Sequence, residues 1–100
     1  GINSGSEYTS KKDTLRVMVK ITNYGADLKD LKVSATIYEL GLYAPGGKFD
    51  LKNGQTIARF IEIPIADAGR NIIENKMYDI RIVVSNEEVR RVKHRAFKLQ

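Results

Sequence analysis

Leu15-Arg16-Val17-Met18-Val19-Lys20-Ile21-Thr22 alternates apolar and mostly polar side chains with a period of two. Successive side chains of a strand point to opposite faces, so Leu15, Val17, Val19 and Ile21 share one face and Arg16, Met18, Lys20 and Thr22 the other. A helix needs apolar residues at spacings of three and four, and that period fits this stretch poorly. Asn23-Tyr24-Gly25 follows. Asn and Gly both tolerate positive φ, so the strand is expected to end in a reversal with Gly25 at positive φ.

The same reading extends outward in both directions. In residues 31–40, Leu31, Val33, Ala35 and Ile37 line one face, and Lys32, Ser34, Thr36 and Tyr38 the other. In residues 77–84, Tyr78, Ile80, Ile82 and Val84 face inward while Asp79 and Arg81 face outward. Residues 55–63 form a further strand ending at Pro64. Its inward row of Ile57, Ile61 and Ile63 is interrupted by Arg59, with Phe60 opposite, so a bulge is expected. Residues 41–54 read as a long connection with Pro45-Gly46-Gly47 and Asn53-Gly54 as turn signals. Asn53-Gly54 suits a type I′ hairpin, and a short irregular strand is expected around Phe49. Residues 64–76 are polar, with one helical turn expected within 66–74. Residues 85–88 make a turn and residues 89–99 the last strand. Five strands and up to two more, with no amphipathic helix, define an all-β antiparallel sandwich of about seven strands. Its core candidates are Leu15, Val17, Val19, Ile21, Leu28, Leu31, Val33, Ala35, Ile37, Ile61, Ile80, Ile82 and Val84.

One hundred residues make one domain, read here as residues 11–100. Residues 1–10 begin Gly-Ile-Asn-Ser-Gly-Ser and read as a flexible leader or cloning remnant, so the chain reads as a piece of something longer. There is no Cys, which excludes disulfides and thiolate metal sites without choosing a compartment. No apolar run reaches the roughly 18 residues of a membrane span, and neither a signal peptide nor an Asn-x-Ser/Thr sequon occurs.

Several segments together resemble a known family. They are residues 13–25, then Leu28-Lys29-Asp30-Leu31-Lys32-Val33, Tyr38-Glu39-Leu40-Gly41 and Tyr78-Asp79-Ile80-Arg81-Ile82-Val83-Val84-Ser85-Asn86. They resemble the immunoglobulin-like domains of the type called cell adhesion related domain found in bacteria (CARDB), and are most similar to those in archaeal surface-layer-like proteins. The resemblance covers roughly residues 10–99. It implies an immunoglobulin-like sandwich, tandem occurrence on large surface proteins and a cell-surface or extracellular location. It implies no catalytic, cofactor or metal residue. The stretch Tyr43–Lys48 departs from the family pattern.

Catalytic constellations are weak. His94 is the only histidine; it lies among Arg91, Lys93 and Arg95, and no Gly-x-Ser-x-Gly elbow accompanies it, so it reads as a surface histidine. Asp27 and Asp30 form no Asp-x-Asp-x-Asp run and read as acceptors for turn amides, not calcium ligands. Gly46-Gly47-Lys48 lacks the leading glycine and following helix of a phosphate loop.

Charge is the exception. The twelve acidic residues and twelve of the seventeen basic ones precede position 90, so the net charge of +5 comes from Arg90, Arg91, Lys93, Arg95 and Lys98. On a strand, Arg91, Lys93 and Arg95 share one face, where they either protect an edge from pairing or meet a polyanion. Three phosphate contacts would give a log–log salt slope of about −2 to −3, too shallow for tight nucleic-acid binding. The leading expectation is therefore a non-catalytic structural or adhesion module without cofactors, its partners being neighbouring domains of surface proteins. The alternative is a small basic domain that holds nucleic acid or another polyanion through its last strand. A third is an accessory domain of an enzyme whose active site lies elsewhere.

Overall fold

The structure, a computed structural model, describes residues 1–11 and 13–98. Seven strands run in chain order: β1 (Ile2–Lys11), β2 (Thr14–Asn23), β3 (Leu28–Ile37), β4 (Leu42–Leu51), β5 (Thr56–Ile63), β6 (Met77–Ser85) and β7 (Arg90–Lys98). Residue 99, which the alternation adds to the last strand, lies outside the described residues. The strands form two antiparallel sheets of order β1-β2-β5 and β4-β3-β6-β7. Consecutive strands change sheet after β2, β4 and β5, and the fourth strand pairs with the third. This is the order of a Greek-key immunoglobulin-like sandwich whose fourth strand joins the sheet of the last two.

All thirteen core candidates are buried, with the inward face of β2 set across the sandwich from those of the neighbouring β3 and β6. Tyr78 adds a clamp at the entrance to β6: the Ile73 amide donates to its hydroxyl at 2.8 Å. A tyrosine near the start of this strand that bonds upstream backbone is a recurrent corner of such sandwiches, fixing where the chain crosses from one sheet to the other.

Several expectations are corrected. Residues 1–10 are no flexible leader. Ile2–Lys11 pairs with β2 at ten consecutive positions, from Ile2 opposite Asn23 to Lys11 opposite Thr14, and Ile2 is buried. The β5 register with β2 is unbroken, so no bulge is needed at Arg59. Arg59 holds an inward-side position between Ile57 and Ile61 in mid-strand, with its guanidinium 5.0 Å from the Phe49 ring centroid, while Phe60 faces solvent. The bulges lie instead between β3 and β4, at Leu28/Leu31 and Lys32/Ser34. At the first of these Asp30 takes φ 56° and its amide donates to Asp50 Oδ1 at 3.0 Å.

The turns differ as well. Residues 52–55 close with the Gln55 amide on the Lys52 carbonyl (3.0 Å) and Gly54 at φ 77°. Asn53 is not at positive φ, so this is no type I′ turn, and it passes the chain between sheets where a hairpin was expected. Gly25 does not take positive φ either; a Cβ there would lie 2.9 Å from the Gly1 backbone nitrogen. Asn23 governs that reversal from a fully buried position. Its Nδ2 donates to the Ala26 and Leu51 carbonyls, both at 2.9 Å, and its Oδ1 accepts from the Gly25 amide at 2.9 Å. The polar connection 64–76 contains a 3-10 helix at Ile65–Asn71, overlapping the expected turn.

Candidate functional site

Alternation does place Arg91, Lys93 and Arg95 on one face of β7, but it is the side that faces the core. Their cross-strand partners on β6 are Val84, Ile82 and Ile80, all buried. The three cations are nevertheless exposed. β7 is the edge of its sheet and packs beside β1, the edge of the other, so the row lies along an open seam between the sheets. Arg91 Nη1 turns back to its neighbour's carbonyl at Arg90 (3.0 Å), and the Arg95 guanidinium sits 5.6 Å from the Tyr8 ring centroid. Inward-pointing cations on an edge strand oppose pairing with a further strand. Phe97, next on the same side, closes the seam. It is fully buried, stacked on Tyr78 (centroids 5.5 Å apart) and edge-on to Tyr8 (6.0 Å).

His94 points to the other side of β7 from Arg91, Lys93 and Arg95. Its Nδ1 lies 2.7 Å from Asp79 Oδ2, both side chains about half exposed, and its cross-strand partner is Arg81. Asp27 Oδ1 accepts the Asn53 amide at 2.8 Å, an amide across the loop as expected, whereas for Asp30 the bonded atom is its own amide. Among the described residues no three metal-ligating side chains gather, and no helix is long and apolar enough to cross a membrane.

At the far end of the sandwich Lys76 Nζ lies 2.8 Å from Glu39 Oε2. The hydrogen bond to Glu39 raises the lysine above its ordinary value of 10.5, against a smaller opposing effect of desolvation. A raised pKa stabilises the fold only while the group is protonated. This contribution is therefore present below the ordinary lysine range and is lost as pH rises through the raised value.

Sequence reasoning missed the outer face of the four-stranded sheet. Pairing aligns three rows across its strands. The first is Tyr43, Thr36, Arg81 and His94; the second is Pro45, Ser34, Val83 and Val92; the third is Lys48, Lys32, Ser85 and Arg90. All of these but Val92 and His94 line an open groove of about 620 Å³. Val83, though on the outer face, is buried at its floor, and Tyr38 and Tyr43 stand 70% and 63% exposed at one end. A Pro45-Gly46-Gly47 signal reads as a turn in sequence. Here it is a bulge in β4, with Gly47 at φ 92°, that returns Lys48 to a position opposite Lys32. Gly46 has no room for a side chain: a Cβ would lie 2.6 Å from Val33 Cγ1 and 2.7 Å from Ile61 Cγ1.

Compared with known protein families, with curated proteins and with solved structures, the chain matches none. The class is therefore set by strand order: an immunoglobulin-like β-sandwich with two cationic surfaces, one on each side of β7.

Proposed function

We propose that this domain is a non-catalytic, load-bearing spacer and adhesion module of a larger cell-surface protein, of the CARDB type that its sequence resembles. The observation that carries the reading is where the chain enters and leaves. Ile2 pairs with Asn23 at one end of the sandwich, and Lys98 pairs with Met77 at the other. The molecule measures 45 × 20 × 17 Å, so its first and last strands enter and leave at opposite ends of an elongated body. Copies joined through these ends would form a string whose length grows by about one domain per copy.

The ladders suit tension. β1 and β7 are both edge strands, paired with β2 over ten positions and with β6 over nine. Force applied at opposite ends runs along the strand axes, so it would shear those rungs together and not peel them singly. Small-angle scattering of two copies fused tail to head tests the spacing role. The expected maximum dimension is about twice the 45 Å of one domain. A particle little longer than one domain would mean that the copies fold back side by side, and would remove the spacer reading.

A further inference from the structure

We propose that the groove on the outer face of the four-stranded sheet binds an acidic polysaccharide, one bearing carboxylate or sulfate groups, with Lys32, Lys48 and Arg90 taking the charge and Tyr38 and Tyr43 stacking on sugar faces. Lys48 and Lys32 are directly opposite one another on β4 and β3, and like charges in that position destabilise a sheet. Arg90 extends the same row two strands further on. Among the described residues, Lys32, Lys48 and Arg90 form no ion pair, and no carboxylate lines the groove. Asp30, Glu87 and Glu88 line only an adjoining depression beyond Lys32 and Lys48. A concave surface lined by one sign of charge concentrates the opposite sign, and an anion set between these cations would turn their repulsion into attraction.

The rest of the groove selects the anion. Its lysine row and its tyrosine end are separated by the row of Pro45, Ser34, Val83 and Val92, so Lys32, Lys48 and Arg90 lie about 13 Å along the strands from Tyr43, while Arg81, the one groove cation at the tyrosine end, is held against Tyr38. Single-stranded nucleic acid is held by rings and cations interleaved along one track. Here Lys32, Lys48 and Arg90 occupy the end opposite the rings, with the Ser34 hydroxyl and an apolar floor between and the Ser85 and Thr36 hydroxyls at the two ends. A pyranose chain has the matching order: a charged sugar at the lysines, sugar hydroxyls over the serine and threonine, and a flat C–H face against an exposed tyrosine. Arg81 braces that end, its Nη1 3.5 Å from the Tyr38 hydroxyl and its guanidinium 5.9 Å from the ring centroid. The bulge at Gly46-Gly47 is the device that brings Lys48 into the row.

The test is a calorimetric titration of the intact chain with oligogalacturonate, its fully methyl-esterified neutral form, a sulfated dextran oligomer and oligo-dT. Binding of the uronate or the sulfated oligomer, with none of the neutral form, is expected. Lys32→Ala/Lys48→Ala should weaken it about tenfold or more, since bonds to charged groups are the strong ones. Tyr43→Ala should weaken it several-fold, with fold retention checked by circular dichroism. Arg91→Ala/Lys93→Ala/Arg95→Ala should leave it unchanged, because those side chains lie on the other side of β7. Equal binding of neutral and acidic oligomers, preference for oligo-dT, loss in the Arg91/Lys93/Arg95 variant alone, or no binding of any oligomer overturns the proposal. None of these outcomes bears on the spacer reading, which scattering tests separately.

Discussion

Phe97→Ala is expected to lower the unfolding free energy by about 3–5 kcal/mol, the range for removing a large aromatic side chain from a core. Phe97 is completely buried and touches both sheets at the seam, through Tyr78 on β6 and Tyr8 on β1. Its loss therefore empties a cavity and also removes what joins β7 to β1. Val92→Ala, one face over on the same strand, deletes a side chain that is 38% exposed and should cost less than about 1 kcal/mol. Denaturant midpoints at constant m-value compare the two. Equal shifts would mean that Phe97 does not close the seam.

Asn23→Ala is expected to cost about 2–4 kcal/mol, because a fully buried side chain is lost and with it the partner of the buried Leu51 carbonyl and of two part-buried backbone groups. Three bonds end on this side chain, to the Ala26 carbonyl, the Leu51 carbonyl and the Gly25 amide. They tie the β2–β3 reversal to the end of β4, where the chain crosses between sheets. Asn86 also makes three bonds to backbone at a half-exposed loop, accepting two and donating one where Asn23 accepts one and donates two. Its Oδ1 accepts the Glu88 and Val89 amides and its Nδ2 donates to the Lys29 carbonyl. Water replaces those partners, so Asn86→Ala should cost about 1 kcal/mol or less. Burial is the only large difference between the two sites. If the asparagines proved equivalent in chemical unfolding, burial would not be what sets the value of Asn23.

Strands buried on one face could be read from sequence because burial imposes a period of two. Val17, Ala35 and Ile82 each sit where the alternation puts them. β1 escaped because it is an edge strand on the seam. Its inward positions Ser4, Ser6 and Tyr8 are small or only partly covered, so no apolar row marks it. β4 escaped because proline and paired glycines signal turns as strongly as they signal a bulge. Arg59 looked like a break in β5 because long cationic side chains cover an apolar edge as readily as they leave it. The basic row was legible as a row, since i and i+2 share a face. Which side of the sheet it took depended on the β6–β7 register, which sets Arg91, Lys93 and Arg95 opposite Val84, Ile82 and Ile80. The groove was illegible for another reason. Lys32, Lys48, Arg81 and Arg90 come from four strands, and only the pairing register assembles them.

The load-bearing reading stands or falls on the direction in which the domain resists force. Single-molecule stretching should compare handles at Gly1→Cys and Lys98→Cys with handles at Gly1→Cys and Tyr24→Cys, at equal loading rate. The first pair pulls along the strand axes. The second pulls apart one end of the β1–β2 ladder, where the Tyr24 amide donates to the Gly1 carbonyl at 2.8 Å, and peels it rung by rung. Forced unfolding reads the barrier along the pulled direction. The account predicts a clearly higher unfolding force for the end-to-end pair; an equal or lower force would contradict it.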